Sequence, residues 1–283
     1  MSKFRLRGKK QKKDNKREIP IQRIIPNMLT FMAAAFGITS IRYSCAGEWK
    51  RAAVYILISC FLDGIDGRVA RLLRATSKLG AELDSLSDFV SFGVAPAMLL
   101  YFWIMQTVVP GSAYHAYRGI FWGLALFYAL CCGFRLARFN IMIEDGPTQP
   151  YWKHFFLGLP APGGAGLVML PLVIYFITDA AICLSPVLCS LSLLICGILL
   201  AGRIPTLSAK HLRVPRVWMF PFILLVIFIV CVFVARPWIA LAIIGTIYYL
   251  SIPICGYLFL RMKRRYENSL GNSLPRERTR QGD

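Results

Sequence analysis

"DGIDGRVARLLRATSKLGAELDSLSD", residues 63–88, follows directly on an apolar run, AAVYILISCFL at residues 52–62. It places four carboxylates, Asp63, Asp66, Asp84 and Asp88, in a chain otherwise suited to lipid. A central Asp costs a membrane span roughly 2.5–3.5 kcal/mol on insertion scales, so acids retained there point to a site. On a helix, Asp63, Asp66, Gly67, Ala70 and Arg71 fall at i, i+3, i+4, i+7 and i+8 and share one face. Gly80, Asp84, Ser87, Asp88 and Ser91 do the same on the helix that follows. The short basic link from Leu72 to Leu79 makes the two helices antiparallel neighbours, so their polar faces are expected to meet.

Four clustered carboxylates repel one another, and divalent cations relieve that repulsion. Hard oxygen ligands without His or Cys select Mg²⁺, Mn²⁺ or Ca²⁺ rather than zinc. Two such ions suit displacement at phosphorus, where attacking and leaving oxygens both carry charge. Gly67, Ala70 and Gly80 leave room beside the metals, and Arg71 can hold phosphate oxygens in a fork. Two other readings compete. Polar glue between helices needs one or two polar side chains, not four acids. A cation or lipid transporter more often carries its ion site on broken helices, and no proline interrupts residues 63–88.

Outward from this stretch, the chain is 57% hydrophobic over 283 residues, above the usual share of about 45–50% in soluble domains. The apolar residues come in blocks, and the pattern predicts an all-α polytopic membrane protein. Eight helices are expected near residues 24–45, 50–72, 80–107, 118–140, 156–177, 180–201, 217–235 and 238–260. Each is close to the 20 or so residues that cross the hydrocarbon core. Nine cysteines lie mostly inside apolar blocks with no Cys-x-x-Cys spacing. They read as small buried hydrophobes, not as a zinc site or a disulfide framework.

The 33 Lys and Arg against 14 Asp and Glu give a formal charge of +19, much of it at the two ends. These tails flank membrane blocks and carry few aromatics, which argues against nucleic acid and for topology signals that lean on anionic lipid. The N-terminal stretch reads as a retained tail rather than a cleaved signal peptide. An even number of spans puts both tails on one side, the cytoplasmic one. Inside loops carry Arg68, Arg71, Arg74 and Lys78, then Lys153, then Arg203, Lys210, Arg213 and Arg216. The one exception is the first outside loop, with Arg42, Lys50 and Arg51. The expected division is a basic tail at 1–23, a catalytic membrane domain at 24–213, two further helices at 214–260 and a basic tail at 261–283.

Residues 63–88 read D-x-x-D-G-x-x-A-R-x8-G-x-x-x-D-x-x-x-D without departure, and this resembles the signature of the CDP-alcohol phosphatidyltransferase family. The resemblance implies a six-helix core, here followed by two C-terminal helices. It implies that Asp63, Asp66, Asp84 and Asp88 hold two divalent cations, Mg²⁺ or Mn²⁺, and that Asp88 also deprotonates the incoming alcohol. Gly67, Ala70, Arg71 and Gly80 would line the nucleotide site of a CDP-linked lipid. IPNMLT, residues 25–30, resembles the family's entrance to its first helix and puts Asn27 and Thr30 near the same surface as headgroup contacts. Homodimers are common in the family, and the spans from Leu167 to Ile177 or from Leu188 to Leu200 are candidates for the interface.

The acceptor is argued separately. SDFVSFGVAPA (87–97), CGFRLARFN (132–140) and GLPAPGGAG (158–166) resemble the bacterial and archaeal phosphatidylserine synthase branch. That implies transfer from CDP-diacylglycerol to L-serine with release of CMP, in a bacterial inner membrane. Arg135 and Arg138, with Asn140 just beyond, would meet the serine carboxylate; the alternative is that the arginines anchor the helix end at the interface. Glycerol 3-phosphate would suit the arginines equally, while inositol phosphate and choline are the remaining acceptors.

Overall fold

Two helices, α1 (Ile21–Cys45) and α2 (Trp49–Leu72), open the computed structural model as a hairpin. The structure describes residues 21–75, 77–145, 155–157, 159–202, 205–207 and 219–273. Gly47, at φ +76°, makes the reversal, a left-handed conformation that favours glycine. Serines stitch the pair: Ser40 Oγ donates to Ala52 O at 2.8 Å and Ser59 Oγ to Ala33 O at 2.8 Å. Small residues and interhelical hydrogen bonds are what hold helices together where lipid removes the hydrophobic drive between them.

The end of α2 is a Schellman turn. Arg74 sits at φ 51°, with Ala75 N–H bonded to Ala70 O and Arg74 N–H to Arg71 O. Ser77 then caps α3 (Lys78–Asp88) by accepting from Gly80 N–H at 3.0 Å. The link reverses the chain as expected, but α3 packs on α1 rather than on α2. Helix α1 therefore packs against both acidic helices.

After Asp88 the helix continues through a π-helical turn, Phe89–Val94, into α4 (Ala95–Met105). Pro96 has no N–H to offer the Phe92 carbonyl four residues back. Tyr128 of α5 (Arg118–Asp145) supplies the missing donor, its OH reaching Phe92 O at 3.0 Å from a fully buried ring.

The expected helix over 156–177 is a different object. Residues Phe155–Leu157 form β1, antiparallel to β2 (Pro205–Leu207), and the helical part is a pair, α6 (Ala161–Val168) and α7 (Leu170–Thr178), bent by 43°. Pro171 explains the bend: it cannot donate to the carbonyl of Leu167, and its ring crowds that carbonyl. Helix α8 begins at Pro186 rather than near 180 and ends at Ala201, after a 3₁₀ turn at Ala181–Leu184. Helix α9 (Met219–Ala235) has no buried residue, and α10 runs from Pro237 to Ser273, past its expected end.

Among the described residues, four helical stretches are long and apolar enough to cross a membrane: Ile24–Cys45, Lys78–Met105, His115–Met142 and Pro237–Tyr257; the bent pair makes a fifth. Helices α8 and α9 are shorter apolar helices, and α2 is 24 residues long but carries the charges of the acidic site. Apart from the one short ribbon, the described chain is an all-α polytopic membrane protein.

At the end away from the aspartates, Trp103 packs edge-on to Trp49 and Tyr175 and donates from Nε1 to Cys183 O at 3.3 Å. The basic residues that break the loop pattern sit here on aromatic faces, Arg42 and Arg51 over Tyr43 and Lys50 over Phe176. Lys153, Arg203, Lys210, Arg213 and Arg216, the tail before Ile21 and the chain beyond Ser273 lie outside the described residues.

Candidate metal centre

The acidic face of α2 and that of α3 come together. One carboxylate oxygen each from Asp63, Asp66 and Asp84 lies within 4.8 Å of the others. Oxygens bound to one hard cation at about 2.0–2.6 Å stand at most about 4–5 Å apart, so this spacing fits a shared ion. Among the described residues no Lys or Arg is in ion-pair distance of these carboxylates, and no His or Cys belongs to the group. Both facts match a set of ligands for an oxygen-seeking cation. Asp88, one turn beyond Asp84, stands beside the Asp63 carboxyl group.

Thr30 of α1 ties the two helices to this geometry. Its Oγ1 lies 2.7 Å from Asp66 Oδ2 and 3.1 Å from its own helix's Pro26 O. Its carbonyl accepts from Ser87 Oγ at 3.0 Å, and one turn further Ala33 O accepts from both Ser59 and Ser91. Asp66 is 4% exposed and Thr30 is 6% exposed, so this link is shielded from competing water. Sequence reasoning placed Thr30 at the surface of the site but missed that it reaches the site through Asp66. Ser87 and Ser91 were legible as members of the acidic face, though not as donors to α1.

The small residues divide in role. A Cβ on Gly67 would meet nothing within 4 Å, so open space lies beside the aspartates there. A Cβ on Gly80 would come within 3.1 Å of Asn27 Oδ1 and of Ser77 Oγ, so Gly80 also lets α1 and α3 approach. Ala70 is half-buried and Arg71 exposed at the end of α2.

The three residues expected to meet the acceptor are separated by their partners. Arg138 donates to Ala201 O at 2.8 Å and to Gly202 O at 2.9 Å, closing the carbonyl end of α8. Asn140 Nδ2 donates to Ser85 Oγ at 2.9 Å, joining α5 to α3. Arg135 is the one near the acids: its charged neighbours are Asp88 and Asp63, with the Tyr248 phenol also near. Its Nε is buried without a hydrogen-bond partner, and its guanidinium lies 5.9 Å from the Phe139 ring centre.

A family model described as CDP-alcohol phosphatidyltransferase matches residues 23–201, and one described as CDP-alcohol phosphatidyltransferase 2 matches residues 217–253. The chain is similar to the CDP-diacylglycerol–serine O-phosphatidyltransferase of Mycobacterium leprae (strain TN), 34% identical over 239 residues, 84% of this chain and 76% of that one. It is 33% identical over 244 residues to the protein of the same name in Helicobacter pylori (strain ATCC 700392 / 26695), covering 85% of this chain and 93% of the relative. The like-named Mycobacterium tuberculosis (strain ATCC 25618 / H37Rv) protein is 43% identical over 143 residues, 50% of this chain and 46% of that one.

Proposed function

This chain belongs to the CDP-alcohol phosphatidyltransferase family, and from that premise we propose that it moves the phosphatidyl group of CDP-diacylglycerol to L-serine, giving phosphatidylserine and CMP. The observation that carries the proposal is the convergence of Asp63, Asp66 and Asp84 within 4.8 Å, with Asp88 alongside and open space at Gly67.

In this reading Asp63, Asp66, Asp84 and Asp88 hold divalent cations, Mg²⁺ or Mn²⁺, which when bound offset the charge of the diphosphate. Asp88 takes the proton of the serine hydroxyl. The hydroxyl oxygen bonds to the phosphorus that bears diacylglycerol, the bond from that phosphorus to the CMP oxygen breaks, and CMP leaves. Gly67 and Ala70 give the nucleotide its space, Gly80 and Asn27 shape its wall, Thr30 orients Asp66, and Arg71 pairs with phosphate oxygens. Arg135 receives the serine carboxylate, because it lies near Asp88 and keeps its Nε donor unpaired. That same donor suits the phosphate of glycerol 3-phosphate, which is the second reading.

The site is placed at the cytoplasmic side of a bacterial inner membrane, with both termini on that side. Support comes from the basic ends of the chain and from the positive-inside rule. Homodimerisation belongs to the same proposal. Of the two candidate spans, residues 167–173 are largely buried in the fold, whereas α8 keeps Leu191, Leu194 and Ile198 on an exposed face.

The test is CMP release by the purified protein with CDP-diacylglycerol and Mg²⁺ or Mn²⁺, adding serine, glycerol 3-phosphate, inositol phosphate or choline singly. Metal-dependent release with serine alone is expected. Release with another alcohol keeps the chemistry and replaces the acceptor, and none with any alcohol from folded protein returns the aspartates to ion transport.

A further inference from the structure

Two of the basic residues that break the loop pattern, Lys50 and Arg51, line a cavity of about 400 Å³. Residues 47–51, at the reversal between α1 and α2, form one side of it, and Tyr175, Phe176 and Asp179 at the end of α7 form the other. The stretch of α2 from Lys50 to Asp63 spans about 20 Å, so the cavity is remote from the acidic site. The apolar stretch Ile24–Cys45 ends beside it, which puts the cavity where the chain leaves the hydrocarbon layer.

Its charges are divided. Arg51 and Glu48 neutralise one another, Nη1 to Oε2 at 2.6 Å. Lys50 and Asp179 do not: both are exposed in the cavity lining, and among the described residues neither forms an ion pair. Lys50 Nζ lies 5.7 Å from the centre of the Phe176 ring, which itself packs edge-on to Trp238. Asp179 closes α7 at φ 48°, its N–H bonded to Tyr175 O at 2.9 Å. The cavity thus offers an unpaired cation and an unpaired carboxylate, held apart among the rings of Trp49, Tyr175 and Phe176.

We propose that this cavity binds the headgroup of an aminophospholipid from the membrane face opposite the aspartates. The phosphodiester meets Lys50 and the primary ammonium meets Asp179, which is the chemistry of phosphatidylethanolamine. Trp49 and Tyr175, apolar rings with a polar edge, suit the headgroup level of a bilayer. Val54 and Ile177, exposed next along α2 and α7, give the acyl chains an apolar surface. Other headgroups fit less well. Phosphatidylglycerol leaves Asp179 unpaired, a choline offers it no N–H, and serine adds a carboxylate that it repels. The proposal is independent of phosphatidyl transfer, since it requires only that the helices span a membrane.

The test titrates delipidated full-length protein in detergent with dioleoyl phosphatidylethanolamine, phosphatidylglycerol or phosphatidylcholine, and native mass spectrometry counts the lipid bound. The ethanolamine lipid is expected to bind about tenfold more tightly than either of the others, the effect of one hydrogen bond to a charged group. Lys50→Gln lowers that affinity by about tenfold, and Asp179→Asn removes the preference for ethanolamine over choline. Both positions are exposed, and Asn tolerates the left-handed backbone at 179, so the fold is kept. Lys78→Gln, an exposed lysine at the aspartate end, is the control and binds as wild type does. CMP release with serine is read separately on the same variants and is expected to hold, so a failure of the transfer reading leaves the cavity untouched. Equal affinity of the wild type for the three lipids, unchanged ethanolamine-lipid binding in both cavity variants, or an equal loss in Lys78→Gln overturns the proposal. So does glycerophosphoethanolamine binding as tightly as the lipid, which makes the occupant a soluble molecule.

Discussion

Thr30 and Asp66, 36 residues apart in the chain, are joined by a buried hydrogen bond of 2.7 Å from Oγ1 to Oδ2. The bond makes α1 a participant in the acidic site although it contributes no acid. A group that orients a metal-binding carboxylate typically changes metal affinity by about 10–100-fold when removed. Thr30→Val, which keeps the shape and loses the donor, is expected to raise the Mn²⁺ concentration for half-maximal CMP release by about tenfold at the least. Thermal unfolding in the absence of metal should shift little. An unchanged metal requirement would reduce the bond to packing.

Asp88 differs from its neighbours in standing outside the group of three oxygens, beside Asp63. Asp88→Asn should cut turnover by about 10²–10⁴-fold, the usual contribution of a general base, with CDP-diacylglycerol still bound in the presence of metal. Single-turnover CMP release and equilibrium binding separate the two effects. Full turnover in the variant would remove the base role.

Gly67 faces open space, so a methyl group there should leave the free protein intact. Gly67→Ala is expected to unfold at the wild-type temperature and to bind the nucleotide-linked lipid at least about tenfold more weakly, as a methyl placed in a filled site forces a shift. If donor binding is equal to wild type, the nucleotide lies elsewhere.

The two arginines of α5 should part company. Arg135→Met is expected to raise the KM for serine far more than that for the donor, since its buried, unpaired Nε is the proposed anchor of the acceptor. Arg138→Met should instead lower stability by about 2 kcal/mol, the worth of hydrogen bonds from a charged donor to the carbonyls of Ala201 and Gly202. A serine defect in Arg138→Met and none in Arg135→Met would reverse the assignment.

Tyr128→Phe tests the π turn. Removing the OH leaves the Phe92 carbonyl without the donor that Pro96 cannot supply, at a cost of about 1–3 kcal/mol for a buried unsatisfied group. Thermal unfolding in detergent measures it, and an unchanged midpoint would mean that another donor serves that carbonyl.

Much of this was legible in residues 63–88 alone, since helical spacing fixes which side chains share a face and the link is too short for anything but a reversal. Two acidic faces on adjacent helices had to meet. What spacing could not supply was the third body: that α3 leans on α1 follows from Ser87 and Ser91 finding the carbonyls of Thr30 and Ala33, a pairing between residues almost 60 apart. The break at Met169 was readable from Pro171, yet the apolar run from Leu167 to Ile177 hid it, because hydropathy is blind to a missing N–H. The roles of Arg135, Arg138 and Asn140 likewise depend on what faces them from α8 and α3, which a local pattern does not contain.

With the Schellman turn at Arg74 and the glycine reversal at Gly47, the four aspartates of the site, and the threonine that supports one of them, all fall between residues 30 and 88. In the order of synthesis these spans leave the ribosome before α5, α6 and α10. The acidic pocket can close while the chain is still being made, from contacts local enough to form early. The side of the site made by α5, α6 and α10 arrives later, laid against a centre already in place. A nascent chain halted after residue 105 would then hold its acids together and lack only the walls that the later helices add.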